Sequence, residues 1–470
     1  MNAPALRPSA ACLGVQVHAD RRARLRAAVP GPILLIGNGT IQRNLPMNLL
    51  RFRQDSSFLY FTGCDEPGAA LLMDEAGDTL FLTPPADDDG LWHGHVVSNA
   101  DRARALGFER SAPIASLEAA VGDRRPATLS VSDPVACARA GAIAGRPLRF
   151  GGPNGDEALI DAVIAMRRRL EPVELEALRA TSAVSVRAHR LAMAHTRPGR
   201  TEESLLALFE GCLRAGGRGT AYDTILTVRG EVLHNHSHPN TLEAGQLLLL
   251  DGGGEAPDGY ASDITRTWPV SGRFDGRQRA AYEAVLQAQT EAIAAIRPGL
   301  RYRDLHLQAC RVLARFLVDE GLLIGDPDGL VERGAHALFF PHGLGHLIGL
   351  DVHDLEVFGD RAAYAPGRTR SAQFGTGYLR LDLDLEANML VTIEPGFYVV
   401  PAILGDRVLT DRFADALRLD VAERWLGFGG IRIEDDVLVT PEGGQSLSPE
   451  LERTVAELEA LIGTGGPTPF

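Results

Sequence analysis

The 470-residue chain has no lysine: all 47 of its basic residues other than histidine are arginine. That absence excludes pyridoxal enzymes, which need a Schiff-base lysine, and P-loop enzymes, which need a phosphate-binding one. There is no run of about 18 apolar residues, so no membrane-spanning helix is expected. The segment from Met1 to Pro30 mixes Arg with Asp and lacks an apolar stretch, unlike a secretory leader. Cysteine is scarce and scattered: Cys12, Cys64, Cys137, Cys212 and Cys310 are odd in number and form no close pair. This argues against a disulfide framework and a thiolate metal site, and fits a cytoplasmic setting. The net charge of −14 argues against nucleic acid as the main partner. No short-period repeat is evident. What is present is 45% hydrophobic content in a chain long enough for two or three domains.

Three regions follow, with boundaries at 1–155, 156–172 and 173–470. In the first, short apolar runs (Ile33–Ile36, Ala70–Met73, Leu80–Leu82) alternate with Gly/Pro/Asp turns and Ala-rich stretches, the pattern of an α/β domain. The second reads as a connecting helix that ends in Arg167-Arg168-Arg169. After Glu171-Pro172 a long helical pattern begins near Val173. Helices expected at about 173–195, 202–216, 276–297 and 301–321 then alternate with pairs of strands joined by turns. That predicts an antiparallel α+β core.

The third region carries the chemistry. Leu247–Leu250 is a buried-strand pattern ending on Asp251, followed by the turn residues Gly252–Gly254 and Pro257-Asp258-Gly259. A second strand begins near Asp263, so a hairpin would bring Asp251 and Asp263 together. Two close carboxylates raise each other's pKa unless a cation neutralises them; taken alone, the same residues could simply cap turns. Next, His342, His346 and His353 fall within twelve residues, in Pro341-His342-Gly343-Leu344-Gly345-His346 and Asp351-Val352-His353-Asp354. In Val391-Thr392-Ile393-Glu394, alternation puts Thr392 and Glu394 on one face. In Ile431-Arg432-Ile433-Glu434, Arg432 and Glu434 share a face, and Arg432 is a candidate for substrate binding. The competing expectation is a half-buried sheet whose polar face is solvated. Asp251, Asp263, His346, Glu394 and Glu434 together offer about four negative charges and one imidazole. This donor set suits two divalent ions, Mn²⁺ first, with Co²⁺ or Zn²⁺ as alternatives.

These residues, in this order and with the runs D-I-T-R-T, H-G-L-G-H, D-V-H-D, I-E-P-G and I-R-I-E-D-D, resemble the proline-specific branch of the pita-bread metallopeptidases, aminopeptidase P and prolidase. The resemblance covers most of the chain and is strongest from about Glu174 to Thr440. The segment Phe52–Gly63 is similar to the family's smaller α/β N-terminal domain. The resemblance implies that Asp251 binds one metal, Asp263 and Glu434 bridge both, and His346 and Glu394 complete the ligand set of the second metal. Glu394 would also carry a proton from the attacking water to the leaving proline nitrogen. His353 and His234 would stabilise the oxyanion, and His342 would line the proline pocket. Of the histidines in Leu233–His238, His234 has the spacing from Asp251 that fits. The eleven residues between the two aspartates exceed by one the family's usual ten, a difference placed at the hairpin tip.

The resemblance points to proline-containing di- or oligopeptides as substrates. An insertion between Asp354 and Glu394 contains Arg380, at the spacing of the prolidase arginine that grips a dipeptide's free carboxylate, a task suited to a guanidinium fork. The alternative partner for Arg380 is Asp382 or Asp384. The expectation is thus an Xaa-Pro dipeptidase, with an Xaa-Pro aminopeptidase as the alternative. A non-catalytic binding protein on the same scaffold is disfavoured because all five ligands are intact. The family also implies a homodimer, with Trp92 as the residue reaching the neighbouring subunit and packing within its own domain as the other expectation.

Overall fold

The computed structural model describes residues 13–152 and 155–466. Cys12 and the start of the N-terminal segment lie outside them. The chain divides into two compact units, one ending at Arg168 and including Leu355–Ala362, the other comprising Arg169–Asp354 and the chain from Ala363 onward.

In the first unit the apolar runs become strands. Ile33–Ile36, Ala70–Asp74 and Gly77–Leu82 lie in a five-stranded mixed sheet whose edges are Arg110–Pro113 and Ala127–Thr128. Ile33–Ile36 pairs antiparallel with Ala70–Asp74 and parallel with Ala127–Thr128. Leu34, Ile36, Leu72 and Phe81 pack from one side of this sheet against Leu117, Val121 and Ala140 of the helices that follow. The helix Glu157–Arg167 belongs to this unit.

The second unit opens with the helix Pro172–His195. Its start is fixed locally: Glu171 and Glu174 form a reciprocal capping box, with Pro172 in the first turn, where its missing N–H costs nothing. Helices Glu202–Gly216, Gly276–Ala295 and Tyr302–Asp319 lie where the apolar periodicity put them. Strand pairing is antiparallel throughout. Leu247–Asp251 sits between Ile225–Thr227 and Thr265–Pro269; Leu390–Ile393 pairs with Asp435–Thr440, and Gly396–Tyr398 with Gly430–Arg432. The mixed first unit and antiparallel second unit make the chain α+β. Among the described residues no helix is long and apolar enough to cross a membrane, and Cys64, Cys137, Cys212 and Cys310 form no disulfide.

Candidate metal centre

Two strand pairs and one glycine-rich loop deliver the acids and the histidine to one place. Asp251 ends its strand opposite Thr265, and the chain returns through a tight connection in which the Gly252 N–H bonds the Ile264 carbonyl at 3.1 Å. Gly253 is required here, because a Cβ would overlap the Ser262 carbonyl. Asp251 and Asp263 consequently meet at one hydroxyl: Tyr222 Oη bonds Asp251 Oδ1 at 2.6 Å and also Asp263 Oδ1. A phenol has one proton to donate, so it serves only one of the two carboxylates as a donor at a time.

The loop carrying His346 runs along the strand carrying Glu394. The Thr392 N–H bonds the His346 carbonyl at 2.9 Å and the Glu394 N–H bonds the Leu344 carbonyl at 2.8 Å. Such close approach needs Gly345, whose φ of +155° and lack of Cβ leave room for the Thr392 carbonyl and the Tyr302 hydroxyl. His346 Nδ1–H donates to the Leu347 carbonyl at 3.0 Å. Its Nε2 is thereby directed at the acids, 3.4 Å from Asp263 and 3.8 Å from Glu394. Glu434 is anchored by the Thr265 hydroxyl at 2.5 Å. Asp263, His346 and Glu434 each present a ligand atom within 4.8 Å of the others.

The electrostatics are those of a crowded acid cluster. Burial, then Asp263, Glu394 and Asp251, raises Glu434 well above the usual carboxylate range. Burial raises Glu394 to about 7 against the pull of His346 and Arg432, and raises Asp251 against Arg432. Burial opposes protonation of His346, but its hydrogen bond to Asp263 and the charges of Asp263 and Glu394 outweigh it and lift it to about 9. Asp263 is lowered: burial pushes it up, but the hydrogen bond and charge of His346 and the Tyr222 hydroxyl together outweigh it. Two buried carboxylates, Asp263 and Glu434, and two half-buried ones, Asp251 and Glu394, around one directed imidazole nitrogen fit hard divalent cations. The expected solvated face of a half-buried sheet is not what forms. Thr392, Arg432 and Glu434 are all buried.

The remaining residues surround this cluster. Arg432 reaches Asp251 Oδ2 at 2.5 Å, Thr265 Oγ1 at 3.1 Å and Tyr398 Oη at 2.9 Å. His342 lies between Tyr398 Oη, 2.9 Å from its Nε2, and the Gly343 carbonyl, 2.8 Å from its Nδ1. Because that carbonyl can only accept, Nδ1 carries the proton and Nε2 accepts from Tyr398. Burial, then Arg432, holds His342 neutral, near 3. His353 stacks edge-on against His346 with ring centres 4.3 Å apart. It has open solvent on one side, yet desolvation, then the charges of His346 and Arg380, lowers its pKa. His234, also accessible, is lowered by desolvation, then by Arg432 and Arg380. His238 instead turns to the Leu226 carbonyl at 2.9 Å. Arg380 thus acts electrostatically on His234, His342 and His353. The two acids proposed as its alternative partners are engaged elsewhere: Asp382 takes both arms of Arg301 at 2.6 Å, and Asp384 binds Arg368 at 2.7 Å.

Tyr222, Tyr398, Thr265 and Asp436, whose carboxylate accepts from the Asp263 N–H at 3.0 Å, were not visible as site residues in the sequence. Of these, only Asp436 and Thr265 had a signal, as neighbours of the ligand motifs.

Comparison with known proteins gives a consistent picture. The family model described as metallopeptidase family M24 matches residues 176–441, and that of the aminopeptidase P N-terminal domain matches residues 18–127. The chain is 32% identical over 445 residues to the Xaa-Pro dipeptidase of Homo sapiens, covering 92% of this chain and 88% of that one. It is 32% identical over 465 residues to a probable Xaa-Pro aminopeptidase of Sordaria macrospora, covering 95% of each. Among solved structures, the Pseudomonas aeruginosa aminopeptidase PepP superposes with a TM-score of 0.78 at 31% identity, covering 95% of this chain and 98% of that one.

Proposed function

Given that the chain belongs to metallopeptidase family M24, we propose that it hydrolyses the peptide bond preceding proline, as an Xaa-Pro dipeptidase. The observation that carries the reading is the cluster of Asp251, Asp263, His346, Glu394 and Glu434, in which crowding and burial raise Asp251, Glu394 and Glu434 and so favour divalent cations. Asp251, Asp263 and Glu434 would hold one ion; Asp263, Glu434, His346 and Glu394 the other. Mn²⁺ suits this oxygen-rich set best. When bound, the ions would polarise the scissile carbonyl and acidify a water between them.

The chain's own residues do the rest. Glu394, at the end of its strand beside His346, takes the proton of the attacking water and delivers it to the proline nitrogen as a general base and then acid. His353 and His234, both beside the cluster, donate to the developing oxyanion. His342, kept neutral and fixed by Tyr398, lines the proline pocket, and Arg432 holds Asp251 and Tyr398 in register. Arg380 grips the free carboxylate of a dipeptide. Support for this is its electrostatic influence on all three histidines. A homodimer remains our reading of the assembly: Trp92 is 65% exposed, so packing within its own domain does not account for it.

The test compares an Xaa-Pro dipeptide with the matching Xaa-Pro-Xaa tripeptide on Mn²⁺-reconstituted protein, with and without Arg380→Ala. A dipeptide preference above about tenfold, about 1.4 kcal/mol, that disappears in the variant supports the dipeptidase. Equal or better tripeptide cleavage makes it an aminopeptidase.

A further inference from the structure

About a helix length from the acid cluster in sequence, His306 and Cys310 occupy one face of the helix Tyr302–Asp319, four residues apart, opposite His336 in the turn Ala335–Leu338. All three are fully buried, and a donor atom of each lies within 4.8 Å of the others. No well-formed hydrogen bond reaches either ring nitrogen of His336, although the Leu330 backbone lies close enough to favour its protonated form. A buried imidazole with neither nitrogen well bonded is costly, and native interiors rarely tolerate one without an unseen partner. His306 fares little better. Its Nε2 and Nδ1 face only the Cys310 sulfur, at 3.5 and 3.8 Å, and a thiol is a weak donor that serves at most one of them.

We propose that His306, Cys310 and His336 form a second metal site, for a zinc-class ion, which clamps this helix to the turn leading into His342. In a tetrahedral zinc site, Zn–S of about 2.3 Å and Zn–N of about 2.0 Å separate sulfur from nitrogen by about 3.5 Å, the spacing found between Cys310 Sγ and His306 Nε2. The donor chemistry differs in kind from that of the acid cluster: one sulfur and two imidazoles suit Zn²⁺, whereas carboxylates suit Mn²⁺. Burial keeps both imidazoles neutral, His306 near 3 and His336 near 4, so their lone pairs are available. The same burial raises the Cys310 thiol. Loading therefore forms a Zn–S bond, breaks the S–H bond and releases one proton to solvent, with no change of oxidation state. The consequence for the known centre runs through Phe340, whose ring contacts His306 at 5.7 Å and His342 at 4.8 Å between centres. Cysteine spacing alone missed the site because the thiol's partners are histidines, one of them 26 residues away.

The experiment uses the full chain, stripped of metal and titrated with Co²⁺ alone. Only thiolate ligation gives the near-ultraviolet sulfur-to-cobalt charge-transfer band; an oxygen–nitrogen centre cannot. The expected result is a band that saturates at one equivalent per chain, is bleached by Zn²⁺, disappears in Cys310→Ala and weakens at least tenfold in affinity in His336→Phe. It should survive in Cys212→Ala and in Asp263→Asn, which separates this site from the acid cluster. X-ray absorption of the zinc-loaded wild-type chain provides a readout independent of any variant's folding, with one sulfur expected at about 2.3 Å. No band at saturating Co²⁺, a band that persists in Cys310→Ala, or a zinc shell without sulfur overturns the proposal.

Discussion

Arg432 and Asp251 form a buried ion pair, Nη2 to Oδ2 at 2.5 Å, in the wall of the acid cluster. Arg432 gives Asp251 its nearest positive charge, and its other arm holds Tyr398. Removing one member of a buried pair strands the other charge, at a cost of about 3–5 kcal/mol. Arg432→Leu should therefore destabilise the metal-free protein by about that amount in urea unfolding with chelator present, and divalent ions should offset part of it. A loss below about 1 kcal/mol would show that Asp251 is neutralised some other way.

The metal-free protein should lose stability as pH rises above about 7.5. Glu394 is raised from 4.5 to about 7 on folding, and Glu434 and Asp251 are raised as well. A raised carboxyl contributes stability below its unfolded pKa and loses it as pH climbs through the folded one. For Glu394 that window runs from 4.5 to about 7. His346, raised from 6.5 to about 9, loses its contribution over that higher window. Asp263 alone works at the acid end, being lowered from 3.8. The histidines that burial holds neutral, among them His189, His306, His336 and His342, work the other way below about pH 6.5, so urea midpoints should fall from about pH 7.5 to about pH 9 with chelator, and flatten or reverse with Mn²⁺. A slope unaffected by metal contradicts the assignment.

Tyr222 touches both aspartates with one hydroxyl. Tyr222→Phe should leave the fold intact and weaken metal binding by about 10–100-fold, as loss of a ligand-orienting partner does. Competition against a chromophoric chelator reads this directly; unchanged affinity means the hydroxyl orients nothing once ions are bound.

Gly345→Ala should cost about 2–4 kcal/mol, combining overpacking with backbone strain, because the added methyl meets the Thr392 carbonyl and the Tyr302 hydroxyl. His346 would be displaced with it, so thermal midpoint and metal affinity should fall together. A stable variant with normal metal affinity would show that the loop has slack.

The acids and His346 were legible because each ends or borders a local pattern: four leucines before Asp251, Val391–Ile393 before Glu394, glycines around His346. The capping box at Glu171 fixed a helix start for the same reason. What was not legible depends on distance in the chain. Tyr222 lies 29 and 41 residues from the aspartates it joins, and Tyr398 lies 34 from Arg432, with nothing in either local run to mark them. Burial of both strand faces was hidden too, since alternation of apolar and polar residues ordinarily signals a solvated side.

The measurement that bears most directly on the account is the rate of Xaa-Pro dipeptide hydrolysis by chelator-stripped protein as Mn²⁺ is restored, with bound Mn²⁺ counted in the same samples. The prediction is negligible activity without metal, recovery that tracks binding up to about two ions per chain, and loss of both in Asp263→Asn. Full activity in the stripped protein, or Mn²⁺ binding with no hydrolysis of any Xaa-Pro substrate, would contradict it.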